Sequence, residues 1–207
     1  GPSATRVEWR NFLSHLKLLD LRDAYVVVSG SLCHGVPADA YRQIVALVQA
    51  QGAKAILDAD GACLREGLKA KPFAIKPNLN ELRRALGKPL RTDAEVVAAA
   101  AALNRSGVEI VLISRGSRGL LVSGRGACLR AVPPPVKVRS TVGAGDSAVA
   151  GFVFGHAGGK SLEECVRFAA AAGTAATLAP GNQLCTLKDT LRLAPRITIH
   201  AVKGAGR

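Results

Sequence analysis

Residues 24–30 read AYVVVSG, and three stretches of the same kind follow: AKAILDAD at 53–60, FAIKP at 73–77 and EIVLIS at 109–114. Each is a short apolar run rich in β-branched residues, and the segments between them carry the 3.6-residue periodicity of helices. Continuous apolar strands that alternate with helices are typical of a parallel sheet that is covered on both faces. The sequence therefore predicts an α/β fold, with a mostly parallel sheet flanked by helices.

Helix ends are marked by local signals. A Ser or Thr followed three residues later by Glu is typical of a helix start, because the two residues cap each other's backbone amides. Such pairs are Thr5 with Glu8, Thr92 with Glu95, and Ser161 with Glu164, and Gly87 is the predicted end of a helix. The stretch GLLVSGRGACLRAV at 119–132 instead predicts a hairpin that turns near residues 123–126.

Composition limits the class of protein. With 207 residues and 48% hydrophobic residues, the chain is long enough for one domain with a sizeable core. No run approaches the roughly 18 apolar residues of a membrane span, and no signal peptide is evident, so we expect a cytoplasmic protein that does not bind membranes. The formal net charge of +13 favours anionic ligands, and both nucleic acid and phosphorylated metabolites fit it.

Several common sites are excluded by pattern. The five cysteines are scattered without a CxxC pair, which favours free thiols over a zinc site or a disulfide framework. The four histidines, His15, His34, His156 and His200, lack metal-ligand spacing. Neither the GxxxxGK[ST] pattern of a P-loop nor a GxGxxG after the first strand occurs.

The stretch TVGAGDSAVAGF at 141–152 places one carboxylate, Asp146, directly after a flexible glycine segment. If a helix begins near Ala144, the amides of Gly143–Asp146 point outward unpaired, and the helix dipole makes this end an anion hole. A carboxylate beside an anion is unfavourable unless it has a task, and accepting the proton of an attacking hydroxyl group is such a task. The alternative is an ordinary turn followed by an N-terminal helix carboxylate.

The stretch KPNLNE at 76–81 follows an apolar run. Asn78 and Glu81 have the spacing of an N-cap and its N3 partner, and this capping role alone would be sufficient to explain them. A carboxylate and an amide at the carboxyl edge of a parallel sheet also suit Mg²⁺ and its waters, with Lys76 near phosphate groups. Both interpretations are compatible.

The stretch ISRGSRG at 113–119 follows another predicted strand. Gly116 and Gly119 would let the backbone approach a nucleotide closely, although a lone GxxG is a weak signal.

Taken together and in this order, these stretches resemble the ribokinase-like (pfkB) carbohydrate kinases. TVGAGDS resembles the anion-hole and catalytic-base signature of that family, KPNLNE its NxxE motif, and SRGSRG its nucleotide segment. SGSL at 29–32, followed by GVP, is similar to its sugar-site strand end. VPPPVK at 132–137, VRFAAAAGTAATL at 166–178 and LCTLKDT at 184–190 are most similar to the branch of phosphofructokinases and tagatose-6-phosphate kinases.

The resemblance implies ATP-dependent phosphorylation of a sugar phosphate. Fructose 6-phosphate is the expected substrate, and fructose 1-phosphate and tagatose 6-phosphate are the alternatives. Asp146 would be the base, Gly143, Ala144 and Gly145 the anion hole, and Ser31 a sugar contact. The residues implied for ATP are Lys76, Asn78, Ser114, Arg115, Gly116, Ser117, Arg118 and Gly119.

The resemblance also implies metal ions. Glu81 and Asp58 would surround Mg²⁺. The residues that match a loop for a monovalent cation such as K⁺ are Ser140, Val142, Ala176, Ala179, Gly181 and Gln183. One residue departs from the family pattern inside the nucleotide segment, because Arg115 stands where such kinases usually have leucine.

The first third of the family pattern, with its opening strands and β-lid, has no counterpart in the sequence. We therefore expect residues 1–207 to be the C-terminal portion of one kinase domain, inactive or nearly so by itself and homodimeric at full length. A hypothesis of a different class is a basic nucleic-acid-binding module, supported by the net charge and the Arg–Gly segment 115–130. Aromatic residues make up only 4%, which disfavours base stacking.

Overall fold

The computed structural model describes residues 2–202. The chain divides into two compact units, Gly1–Val111 and Leu112–Arg207. The division falls within one strand, Ile110–Ser114, so that three of the four predicted β-rich runs lie in the first unit and the fourth, at 109–114, crosses the division. The predicted hairpin and the stretch that contains Asp146 lie in the second unit.

The first unit alternates helices and strands. Its elements are α1 (Arg6–Lys17), β1 (Tyr25–Ser29), α2 (Ala40–Ala50), β2 (Lys54–Asp58), α3 (Gly61–Leu68), β3 (Ala74–Ile75), α4 (Leu79–Leu86), α5 (Asp93–Arg105) and the start of β4 (Ile110–Ser114). These strands pair in parallel in the order β1, β2, β3, β4, which confirms the predicted parallel sheet. The predicted strand at 73–77 is only two residues long, Ala74–Ile75.

Local capping fixes the helices of this unit. Thr5 with Glu8 and Thr92 with Glu95 form the predicted capping boxes. Gly87 ends α4 with φ 60° and ψ 30°, the left-handed conformation that favours glycine at this position. The core between these elements includes fully buried side chains of Ile56, Leu57, Leu64, Ile75, Leu82 and Ile110.

The second unit begins with the end of β4 and contains an antiparallel part. Its further elements are β5 (Leu120–Gly124), β6 (Ala127–Val132), α6 (Ala144–Ala157), α7 (Leu162–Leu178), α8 (Leu187–Leu193) and β7 (Thr198–Ala201). The predicted hairpin is confirmed as β5 and β6, which are antiparallel, and β6 pairs in turn with β7. Ser161 with Glu164 forms the predicted capping box of α7.

Helices α6 and α7 pack closely because small residues face each other. A Cβ at Gly173 of α7 would lie 3.1 Å from the carbonyl oxygen of Ala144 and 3.3 Å from Cβ of Ala148, both in α6. Phe154 and Phe168 meet edge to face with ring centroids 5.3 Å apart. The start of α6 is therefore held directly against α7. None of the helices within residues 2–202 is both long and apolar enough to span a membrane.

Candidate active site

The carboxyl ends of the first three strands form one edge of the first unit. Ser29 pairs with Asp58 in the parallel register of β1 and β2, and Leu57 pairs with Ile75 of β3. Since parallel strands end at the same edge, the residues that follow them lie along that edge too, and in α/β sheets ligands bind there. Ser31, Asp58, Lys76, Asn78 and Glu81 are thus all placed at this edge or at the start of the helix that follows it.

Lys76 and Asp58 form a buried ion pair. Nζ of Lys76 lies 3.1 Å from Oδ1 of Asp58, and Lys76 is only 5% exposed. The backbone amide of Lys76 also donates to the carbonyl oxygen of Leu57, so its main chain continues the strand register. Sequence analysis assigned Lys76 to ATP and Asp58 to Mg²⁺, and the structure brings the two side chains together. An ammonium group desolvated in this way needs an anionic partner, either the carboxylate or a ligand phosphate.

Asn78 and Glu81 form the capping box of α4. Oδ1 of Asn78 accepts from the amides of Asn80 and Glu81, both at 2.9 Å. The carboxylate of Glu81 accepts from the Asn78 amide at 2.7 Å and from Asn78 Nδ2 at 2.6 Å. The capping role is therefore present, and it fixes the Glu81 carboxylate beside the end of β3.

The residues at this edge fit a magnesium ion of the kind that accompanies a nucleotide. Within residues 2–202 no group of three or more His, Cys, Asp or Glu side chains lies together as a metal cage. Mg²⁺ usually keeps several waters and binds through one or two carboxylates and the phosphates of its substrate. Asp58 ends β2 and Glu81 lies in the first turn of α4, which follows β3, so this edge of the first unit offers two carboxylates of the kind that Mg²⁺ needs.

The loop after β1 carries Ser31, the predicted sugar contact, which is exposed. Gly30 turns the chain with φ 92°, a conformation that favours glycine. The hydroxyl group of Tyr41 in α2 reaches this turn and donates to the carbonyl oxygens of Ser29 and Gly30. Sequence analysis missed Tyr41, and its only signal there is that it is one of two tyrosines.

In the second unit, the predicted nucleotide segment forms a tight turn. Gly116–Arg118 is one turn of 3₁₀ helix, closed by a hydrogen bond from the Arg115 amide to the Gly119 carbonyl oxygen at 2.9 Å. A Cβ at Gly119 would collide with the Ala131 carbonyl oxygen and Pro133, so the space beside Gly119 is filled by protein. A Cβ at Gly116 meets nothing within 4 Å. The close approach of Gly116 and Gly119 to a nucleotide stays a prediction.

The remaining residues of this segment differ in burial. Ser114 ends β4 and is half-buried, and Ser117 and Arg118 are exposed. Arg115 is only 8% exposed. Burial of this position is consistent with the leucine that the kinase pattern usually has there.

Helix α6 begins as the sequence predicts, at Ala144. Gly143 is its N-cap, with φ 72° and ψ 0°. Helical hydrogen bonding starts with the Ser147 amide on the Gly143 carbonyl oxygen at 2.8 Å, so the amides of Gly145 and Asp146 precede the first intrahelical acceptor. The Ala144 amide lies 3.3 Å from the Thr141 carbonyl oxygen and bonds to it, which corrects the prediction that all four amides are unpaired.

Asp146 lies in the first turn of α6 with its side chain exposed. The helix dipole makes this end of α6 positive, so it stabilises both the Asp146 carboxylate and an anion that binds beside it. A Cβ at Gly143 would collide with the side chain of Leu184, which covers the N-cap. The left-handed backbone conformation favours glycine at position 143, whereas the Leu184 side chain is exposed and can move.

The loop predicted for a monovalent cation lies partly against the end of α7. The amides of Arg139 and Ser140 donate to the Thr177 carbonyl oxygen at 2.8 and 3.4 Å, next to Ala176. The Ser140 hydroxyl accepts from the Val142 amide at 3.2 Å. Ala179 and Gly181 follow α7, Gly181 with φ 60°, and Gln183 is exposed. These contacts join Ser140 to the helix end, and Thr177 is a neighbour that sequence analysis did not identify.

Known proteins are similar to this chain in sequence and in fold. The profile of the pfkB family carbohydrate kinases matches residues 5–189. The chain is 40% identical to the ATP-dependent 6-phosphofructokinase isozyme 2 of Escherichia coli over 172 residues, 82% of this chain and 56% of that protein. It is 34% identical to the 1-phosphofructokinase of Borreliella burgdorferi over 203 residues, 98% of this chain and 65% of that protein.

The crystal structure of phosphofructokinase-2 from Escherichia coli in complex with potassium superimposes with a TM-score of 0.88 at 36% identity. The similarity covers 93% of this chain and 63% of that one. The chain thus spans roughly three fifths of the length of the proteins that it resembles. Sequence and fold together show that the chain belongs to the pfkB family of carbohydrate kinases.

Proposed function

We propose that the protein transfers the γ-phosphoryl group of ATP to a sugar phosphate, with fructose 6-phosphate as the first candidate and fructose 1,6-bisphosphate as its product. Similarity to both a 6-phosphofructokinase and a 1-phosphofructokinase supports this class of substrate. Fructose 1-phosphate and tagatose 6-phosphate are the alternatives within the same class.

The observation that carries the proposal is the placement of Asp146. Its exposed carboxylate stands in the first turn of α6, beside amides that precede the first intrahelical hydrogen bond. In the proposed reaction the C1 hydroxyl oxygen attacks the γ-phosphorus and its proton passes to Asp146, while the bond from phosphorus to the β-phosphate oxygen breaks and ADP leaves. A positioned base of this kind contributes about 10²- to 10⁴-fold to rate.

The amides at the start of α6 supply the second part of the chemistry. The helix N-terminus and the amides of Gly145 and Asp146 stabilise the negative charge of the phosphoryl group in transit. The left-handed Gly143 lets the backbone turn there without a side chain. No proton moves at these groups, and their contribution is electrostatic.

In the first unit, Lys76 and Asn78 are assigned to ATP. Lys76 is desolvated and exchanges its carboxylate partner for a phosphate oxygen when the nucleotide binds. Mg²⁺, held near Asp58 and Glu81, would neutralise charge on the nucleotide phosphates. A monovalent cation in the loop that begins at Ser140 is part of the same proposal, as is a homodimeric state.

The test uses the complete product of the gene, so that any part of the protein outside residues 1–207 is included. ADP release is measured with ATP, Mg²⁺ and each of the three sugar phosphates in turn. We expect turnover that depends on the sugar phosphate and is fastest with fructose 6-phosphate. ADP release that is the same with and without every sugar phosphate contradicts the proposal, and a preference for fructose 1-phosphate overturns the choice of substrate only.

A further inference from the structure

The hydroxyl group of Tyr41 holds the turn that follows β1. Tyr41 lies in the first turn of α2 and is 5% exposed. Its oxygen lies 3.1 Å from the carbonyl oxygen of Ser29 and 3.0 Å from that of Gly30, and it donates to both. A phenol has one proton, so the two carbonyl groups share it in a three-centre hydrogen bond.

This contact controls the peptide that leads to Ser31. The carbonyl group of Gly30 and the amide of Ser31 belong to one planar peptide unit, so that fixing the oxygen fixes the plane. No side chain does this at Gly30, because the residue has none and a Cβ built there meets nothing within 4 Å. Glycine at φ 92° has more accessible conformations than any other residue, and the Tyr41 hydroxyl group selects one of them.

The turn stands where a sugar phosphate is expected to bind. Ser29 is the register partner of Asp58, which in turn pairs with Lys76. Ser31 therefore lies at the same edge of the first unit as the two charged groups assigned to ATP and Mg²⁺. Its side chain is exposed.

We propose that Tyr41 is a positioning residue, whose hydroxyl group orients the Gly30–Ser31 peptide and through it the Ser31 side chain toward the sugar phosphate. The proposal rests on the proposed function and deepens it. Tyr41 acts through Ser31 and touches no substrate. Its contribution therefore belongs to sugar binding, and it leaves the nucleotide and the proton transfer to other residues.

Burial keeps this hydroxyl group in the state that the role needs. Desolvation in the core raises the pKa of Tyr41 above its ordinary value, and the nearby Cys63 thiol acts in the same direction. The phenol thus remains a protonated donor throughout the neutral range. Phenylalanine at this position would keep the ring in its pocket and remove only the donor.

The experiment compares Tyr41→Phe with the wild-type gene product in steady-state kinetics. One lost hydrogen bond corresponds to about a 3- to 10-fold rise in KM for the sugar phosphate, with kcat and KM for ATP within about twofold of wild type. The matched control is Tyr25→Phe, which removes the other tyrosine hydroxyl group, at the opposite end of β1. A sugar KM in Tyr41→Phe within twofold of wild type overturns the proposal, and so does an equal rise in Tyr25→Phe.

A second measurement separates this proposal from the proposed function. If the wild-type protein phosphorylates none of the three sugar phosphates, the proposed function fails, and amide hydrogen exchange then decides whether Tyr41 orders the turn. We expect Tyr41→Phe to speed exchange at the Ser31 and Leu32 amides while the protection of α2 is unchanged. Unchanged exchange at those two amides overturns the role of Tyr41.

Discussion

Replacing Asp146 by asparagine separates the chemistry of the carboxylate from its place in the helix. Asparagine has nearly the same size and cannot accept the substrate proton as a carboxylate does. If Asp146 is the base, kcat falls by about 10²- to 10⁴-fold, or about 2.7–5.4 kcal/mol of transition-state stabilisation. KM for ATP stays nearly constant, because the helix N-terminus and its amides remain.

The effect on stability is expected to be small by comparison. Asp146 is the third residue of α6 and is exposed, so its charge interacts favourably with the helix dipole. Losing that interaction costs about 0.3–1 kcal/mol, which lowers Tm by at most about 4 °C in a protein of this size. The measurement is therefore a pair of numbers, kcat from the coupled ADP assay and Tm from thermal unfolding.

The chain offers a matched control in Asp189. Asp189 is the third residue of α8, also in the second unit, and its carboxylate likewise lies in the first helical turn. Asp189→Asn is expected to lower Tm by a similar or somewhat larger amount, because the carboxylate also bonds to Thr186, and to leave kcat unchanged. The reasoning is refuted if Asp146→Asn retains kcat within threefold of wild type, or if both variants lose activity equally.

Three further predictions concern the first unit. Glu81→Gln is expected to raise the Mg²⁺ concentration needed for half-maximal rate, since one charge is lost; an unchanged Mg²⁺ titration would leave Glu81 as a cap only. Lys76→Met removes one charge of a buried pair and is expected to lower the free energy of unfolding, measured with urea, by about 3–5 kcal/mol. The double variant Lys76→Met with Asp58→Leu is expected to recover most of this loss, and no recovery would contradict the pairing. The Arg84 guanidinium holds the pKa of Asp60 below its ordinary value of 3.8. The stability gained from this ion pair is therefore complete above about pH 5, and it is lost as the pH falls through the pKa of Asp60 in the folded state. Tm measured from pH 6 to pH 2 should fall less steeply in Asp60→Asn, and equal slopes would count against this linkage.

Local features were predictable from the sequence because their causes are local. The capping boxes at Thr5, Asn78, Thr92 and Ser161 each join residues three positions apart, so both partners lie within one short stretch of sequence. The parallel pairing of β1–β4 was likewise predictable, because the apolar runs are separated by helices. The start of α6 at Ala144 was predicted from the glycines that precede it.

Contacts between distant residues were not predictable in the same way. Lys76 and Asp58 are 18 positions apart and were assigned to different ligands, because nothing in either stretch specifies the other. The space beside Gly119 is filled by Ala131 of β6 and by Pro133, which follows β6, and only the folded hairpin brings them there. The sequence does not distinguish Tyr41 from an ordinary core aromatic residue, and only the structure shows that its hydroxyl group contacts the turn after β1.

The close packing of α6 on α7 has a consequence for mutational tolerance. A side chain at Gly173 would press on the carbonyl oxygen of Ala144, the first residue of α6 and two residues before Asp146. To relieve that pressure the start of α6 must move by a few tenths of an ångström relative to α7. If Asp146 is the base, substitutions at Gly173 are therefore expected to lower turnover through the position of its carboxylate, in addition to the stability lost by overpacking.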